Sequence, residues 1–313
     1  MAGGSSGGFR RPWSEQPAST MNRSQPGILG ELPTHSRYLS FALSPGIDPR
    51  PALAGLRGLI EGDGAVVAVG SPLVSALAVE IPGLRDFPVH SGAAVAVPSN
   101  PAALWCWLRG EDPGVLLHRG RAIRAALSPA FRLESTIDGF LYRGKLDLTG
   151  YEYGTENPTD EAAVAAALVS GGGAGMAGSS FVAVQQWIHD LDAFGAMRQT
   201  ERDHTFGRRI SDNQEIDDAP ESAHVKRAAQ ESFDPQAFVL RRSVPWADAS
   251  GEGLVFVAFG KSFDAFEALL GRMVGAEDGI VDALFRFTRP VSGSYYWCPP
   301  MVSGRLNLTA LGI

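Results

Sequence analysis

Short apolar runs alternate along this chain with stretches of helical period, and the alternation occurs twice. In the first half, RYLSFAL (37–43) predicts a strand and 49–60 a helix, followed by strands at AVVAVG (65–70) and AAVAVP (93–98). A helix at 102–109 and a long strand, FRLESTIDGFLY (131–142), complete that half. In the second, SFVAVQQW (180–187) predicts a strand running into a helix that reaches residue 197. Strands at FVLRRS (238–243) and LVFVAF (254–259), a helix at 263–273 and a strand at SYYW (294–297) follow. Each half reads β-α-β-β-α-β, the ferredoxin-like unit. The fold class is therefore α+β, a duplicated ferredoxin-like barrel. Its two sheets can pack face to face with helices outside, leaving room for a planar cofactor between sheet and helices.

Punctuation sets the boundaries. Residues 1–26 are rich in Gly, Ser, Pro and Arg without apolar period and read as a disordered arm. The N-terminal half is expected at 27–146, a shaped loop and connection at 147–179, and the C-terminal half at 180–313. The run GGGAGMAGSS (171–180) is the flexible join.

A net charge of -7 argues against nucleic acid as a partner. No stretch approaches the ~20 apolar residues of a membrane span, and the first twenty residues lack the apolar core of a secretory signal. A cytoplasmic location is expected, with Cys106 and Cys298 as buried thiols rather than a disulfide.

Three segments carry chemistry. DLTGYEYGTENPTDEAA (147–163) is too densely punctuated by Gly150, Gly154 and Pro158 for regular structure. It is either a tight connection or a loop shaped around a ligand. In ESAHVKR (221–227), His224 follows a helix start, and a neutral imidazole there suits an axial metal bond. The other five histidines, His189 among them, stand in no such context. In FVLRRSVPW (238–246), adjacent arginines on a strand face opposite ways.

These segments, in this order, resemble the dye-decolourising peroxidases. The family motif is Gly-x-x-Asp-Gly followed by Thr-Glu-Asn-Pro, and this chain reads Gly150-Tyr151-Glu152-Tyr153-Gly154 before Thr155, so Tyr153 stands where the family has Asp. AHVKR matches the proximal-ligand pattern, and Pro245-Trp246 sets the register of an Arg-x-Ser/Asn-x-Pro-aromatic pattern. The similarity extends to LWCWLRG (104–110) and SFVAVQQWIHDL (180–191), and is closest to compact bacterial members without a signal.

The resemblance implies one haem b per chain with iron on His224, Arg241 and Ser243 on the distal side, and Arg242 turned to the surface. It implies Arg208 as the partner of a haem propionate and Asp282 as the acid bonded to the proximal histidine. Glu152, Gly154 and Thr155 then belong to the loop over the haem, and Phe256 to its apolar wall. The expected partners are hydrogen peroxide and small organic reductants such as dyes and phenols, in a homo-oligomer. A tyrosine is a far weaker base than an aspartate at neutral pH, so Tyr153 implies slowed or altered peroxide chemistry. A haem carrier or sensor stays open, as does another haem enzyme of oxygen- or carbene-transfer or aldoxime-dehydratase type.

Overall fold

Strands form in the runs rich in β-branched and aromatic residues, and the computed structural model, which describes residues 20, 23–89 and 95–313, shows ten of them in one sheet. They are β1 (His35–Leu43), β2 (Ala65–Val69), β3 (Leu104–Gly110), β4 (Phe131–Phe140) and β5 (Ser180–His189). After these come β6 (Leu240–Arg241), β7 (Val244–Asp248), β8 (Gly251–Gly260), β9 (Thr288–Pro290) and β10 (Ser294–Cys298).

The sheet order is β6-β8-β7-β4-β1-β3-β2-β10-β5-β9, and β8 also pairs with β5, which closes a barrel. Pairs Leu240↔Phe259 and Val244↔Val255 share one register, so β6 and β7 are a single strand interrupted at Arg242 and Ser243. At the interruption Ser243 Oγ accepts the Val257 N–H at 3.2 Å, standing in for a backbone carbonyl. With β9 and β10 likewise both on β5, each half shows the order 4-1-3-2 of a ferredoxin-like sheet. The two sheets face each other, and their edges join at only two seams. Each seam has a single register pair, Val69↔Trp297 and Gly139↔Trp246.

The barrel interior is aromatic. Tyr38 stacks between Trp105, at 5.9 Å, and Trp107, at 6.1 Å, and Trp105 stacks on Tyr296 at 6.0 Å. Trp107 is fully buried and its Nε1–H donates to Ser36 Oγ at 2.9 Å. Removing so large a buried ring leaves a cavity and an orphaned hydroxyl, so Trp107→Ala is expected to cost about 3–5 kcal/mol, measured as a lower urea midpoint.

Two assignments in the first half change. Residues 104–110 are the strand β3, not a helix, because LWCWLR is buried on both faces and carries no period that separates strand from helix. The helix that follows is Pro113–Leu127, started by the Asp112 side chain accepting the Val115 N–H. Of the strand expected at 93–98, residues 93 and 94 lie outside the described residues, and 95–98 hold only a bridge at Val97. The arm expected at 1–26 also ends sooner. Residues 1–19, 21 and 22 lie outside the described residues, but Gln25 is buried, with Nε2 donating to Val67 O and Pro299 O at 2.8 and 2.9 Å.

The halves differ in what crosses from their first strand to their second. In the N-terminal half the helix Arg50–Arg57 does so directly, burying Leu53 and Leu56. In the C-terminal half about fifty residues, 190–239, make the same crossing, and a cavity opens beneath them.

Candidate active site

One wall of this cavity is the outer face of the C-terminal sheet. Along β8, Val255, Val257 and Phe259 turn into the barrel while Leu254 and Phe256 line the cavity. Gln185, Trp187 and His189 from β5, with Arg241 and Ser243, complete that wall. Opposite lie His224, Val225 and Ala228, with the helix Asp264–Met273 presenting Phe266, Leu269, Leu270 and Met273. The motif loop, residues 147–158, runs over the third side.

His224 opens a short helix, His224–Arg227. Two contacts fix that helix. Arg227 is buried and its guanidinium grips both Asp278 oxygens, at 2.7 and 2.8 Å. Gly207 lies so close that a Cβ there would sit 2.3 Å from Val225 Cγ1. His224 Nδ1 is 2.7 Å from Asp282 Oδ2, while Asp282 Oδ1 accepts the Leu284 N–H at 2.9 Å. Asp282 is fully buried, so its carboxylate orients the ring and leaves Nε2 for the cavity.

Arg241 reaches the cavity from β6. Its backbone is held on both sides by Asn157, whose Oδ1 accepts the Arg241 N–H at 2.8 Å and whose Nδ2 donates to the carbonyl at 2.9 Å. Asn157 is the fourth residue of the GTENP run, and the Gly154 turn that opens the run has φ +72°. Arg241 Nε is buried without a hydrogen-bond partner. Burial pushes its pKa down to about 10, with the Glu156 charge opposing, so the guanidinium stays charged at neutral pH. Arg242 corrects an expectation. It is half-buried rather than a surface charge, donating to the Ile28 and Leu29 carbonyls at 3.2 and 3.1 Å.

Arg208 lines the rim but is already paired, donating to Glu156 Oε1 at 2.7 Å and Glu215 Oε1 at 2.6 Å. Glu152 is exposed and accepts from Asn213 Nδ2 at 2.9 Å. Thr155 and Gly154 line the cavity beside it. Tyr153 is half-buried, with a buried hydroxyl that has no hydrogen-bond partner; burial and then the Asp147 charge push its pKa up.

A cluster that the sequence reading passed over sits in the same cavity. His189 Nδ1 lies 2.6 Å from Thr288 Oγ1, and Nε2 lies 3.2 Å from Asp147 Oδ2. Thr149 adds its N–H, at 2.9 Å, and its hydroxyl, at 2.7 Å, to Asp147 Oδ1. Burial alone would raise the Asp147 pKa, but His189 and Thr149 outweigh it and hold the group below the ordinary carboxylate range. Asp147 and His189 are 42 positions apart, so nothing local in the sequence joins them.

A duplicated α+β barrel with an imidazole held by a buried carboxylate, and an arginine across an apolar cavity from it, defines a cofactor-binding protein of the haem type. The family described as Dyp-type peroxidase, C-terminal, matches residues 144–303, and the chain belongs to it. A dye-decolorizing peroxidase of Mycolicibacterium paratuberculosis is 26% identical over 294 residues, covering 87% of this chain and 82% of the relative. A solved structure described as a putative Dyp-type peroxidase from Shewanella oneidensis has TM-score 0.84 and 26% identity, covering 93% of this chain and 98% of that one. A variant of DypB from Rhodococcus jostii, described as a complex with heme, has TM-score 0.80 and 26% identity, covering 87% and 95%.

Proposed function

We propose that this chain is a haem-dependent peroxidase that reduces hydrogen peroxide and oxidises dyes, phenols or similar small donors. The observation that carries the reading is the His224–Asp282 pair, 2.7 Å apart, placed across the cavity from Arg241. The donor set suits haem. Among the described residues no group of three or more His, Cys, Asp or Glu could hold a bare ion, whereas a porphyrin brings four nitrogens of its own and asks the protein for one imidazole. The apolar helix wall and Phe256 suit the flat faces of such a ring.

When bound, the haem supplies the two-electron redox chemistry with peroxide. The protein's part is positional and electrostatic. His224 would hold the iron through Nε2, and Asp282, accepting the Nδ1–H, would make the imidazole a stronger donor. Arg241 orients the peroxide and stabilises negative charge on the departing oxygen. Tyr153 offers a hydrogen bond but accepts a proton poorly, so the peroxide step is slower than an aspartate at 153 would give. Ser243 chiefly holds the strand at Val257. Arg208 would bond a propionate only by sharing Glu156 and Glu215, and Glu152, Gly154 and Thr155 shape the loop beside it.

We read residues 27–146 and 180–313 as the two halves of the duplication, with 147–179 as motif loop and connection. Among the described residues no helix is long and apolar enough to cross a membrane, and a cytoplasmic homo-oligomer is the proposed state. The test is the absorption spectrum of the haem-supplied protein with and without peroxide, beside a dye-oxidation assay. A haem spectrum that changes on adding peroxide, with bleaching of the dye, is expected. A haem spectrum that peroxide leaves unchanged would make the protein a carrier or sensor instead.

A further inference from the structure

Tyr153 leaves the peroxide site without a carboxylate of its own, yet a second carboxylate lies within reach on the same loop. Residues 145–147 and 151–153 form a miniature hairpin, with Asp147 N–H donating to Tyr151 O at 2.8 Å and Tyr153 N–H to Lys145 O at 3.0 Å. Those two bonds flank the bridge Leu146↔Glu152, so Asp147 stands opposite Tyr151 and diagonal to Tyr153. Diagonal residues in an antiparallel pair share a face and lie roughly 7–8 Å apart, a gap that an aromatic side chain spans. Glu152 takes the other face.

The hydrogen-bond inventory of Asp147 is incomplete in the right place. Oδ1 accepts twice from Thr149, but Oδ2 accepts only from His189. An ionised carboxylate has about four acceptor positions, two on each oxygen, which leaves one open on Oδ2. The Tyr153 hydroxyl is buried and has no partner. His189 is fixed from both sides. The Thr288 hydroxyl donates to Ile188 O at 3.1 Å, so it can only accept from His189 Nδ1–H. His189 Nε2 then faces Asp147 Oδ2 at 3.2 Å, and with Thr149 it holds the Asp147 carboxyl below the ordinary carboxylate range. The groups facing Asp147 are thus His189 from β5, Thr149 on its own loop, and Tyr153 across the hairpin.

We propose that Asp147 is the proton acceptor of the peroxide site in this chain, acting through the Tyr153 hydroxyl. The proposal rests on the peroxidase reading above. Tyr153 oxygen takes the proton from the peroxide oxygen nearer the iron, while its own O–H proton passes to Asp147 Oδ2, directly or across one water. The O–O bond then breaks with its electron pair going to the outer oxygen. Both protons return along the same line, so that oxygen leaves as water and Tyr153 and Asp147 regain their starting states. The two electrons come from the haem. His189 is a positioning residue that keeps Asp147 ionised and aimed.

The test compares ferric haem-loaded wild type with Asp147→Asn, Tyr153→Phe and the double variant. Each single change is expected to slow the first peroxide step by about 10²-fold, within the usual range for general acid–base groups. The double variant should be no slower than the slower single, since both groups serve one line. The wild-type rate should fall on the acid side as Asp147 takes up a proton, and that limb should vanish in Tyr153→Phe. In haem-free protein, Asp147→Asn should let a tyrosinate absorbance appear at lower pH than in wild type, and Tyr153→Phe should remove it. A wild-type rate in Asp147→Asn, or multiplicative losses in the double variant, would overturn the proposal. If Asp147→Asn fails to fold, an acid limb unchanged in Tyr153→Phe overturns it alone. Failure to bind haem would instead overturn the peroxidase reading.

Discussion

Replacing His224 with alanine is expected to leave a folded protein that takes up little or no haem, with affinity lower by about 100-fold or more. What remains on that wall cannot replace the imidazole. Val225, Ala228, Phe266, Leu269 and Leu270 offer the iron no ligand, and Met273 offers only a weakly donating thioether at the far end of its helix. Asp282, which now spends one oxygen on Nδ1 and the other on Leu284 N–H, would be left buried and half-satisfied. Outer-shell partners of metal ligands alone are worth 10–100-fold in affinity, and loss of the ligand itself exceeds that. Titration of haem into wild type, His224→Ala and His189→Ala separates the two histidines. Only the first variant should lose the haem band. Retention of an unchanged haem spectrum by His224→Ala would sink the assignment of the iron ligand.

The second large effect is kinetic. Arg241→Leu should bind haem normally but react with peroxide about 10²–10³-fold more slowly, the cost typical of removing one preorganised donor from a developing charge. The guanidinium is desolvated yet still charged, with Nε free of other duties. Such a group stabilises charge more strongly than one that water screens. Its position is set by the two-pronged grip of Asn157 on its backbone, which survives the substitution because no side-chain atom of Arg241 takes part. Stopped-flow absorbance on haem-loaded protein reads the rate directly. An unchanged rate would remove Arg241 from the peroxide chemistry.

How far the sequence revealed this depended on whether one face of each element met solvent or a cavity. In the C-terminal half, alternation in GLVFVAFG was legible because Val255 and Val257 face the barrel while Leu254 and Phe256 face the cavity. In the N-terminal half, β3 is buried on both sides and gave no period. The helix after it was obscured by Val115 and Leu117, which are exposed, and by Gly114 and Gly120 within it. The arginine and histidine of the cavity were legible because fixed neighbours, Pro245-Trp246 and Ala223, set their register. Asn157 was in plain view inside its motif, but its grip on Arg241 spans 84 positions and no local pattern announces such a bond. The Asp147–His189 pair was missed for the same reason.

The two seams bear on how the protein is assembled. A ring closed by one residue pair on each side opens most readily there, since few bonds resist the parting. The motif loop springs from the end of β4, one of the strands at the Gly139↔Trp246 seam, and its Asn157 ties down β6, which continues into β7, the other. A prosthetic group pressed beneath that loop would act as a keystone. It stabilises only the closed ring, so loading shifts the balance away from the parted state in proportion to how tightly it is held.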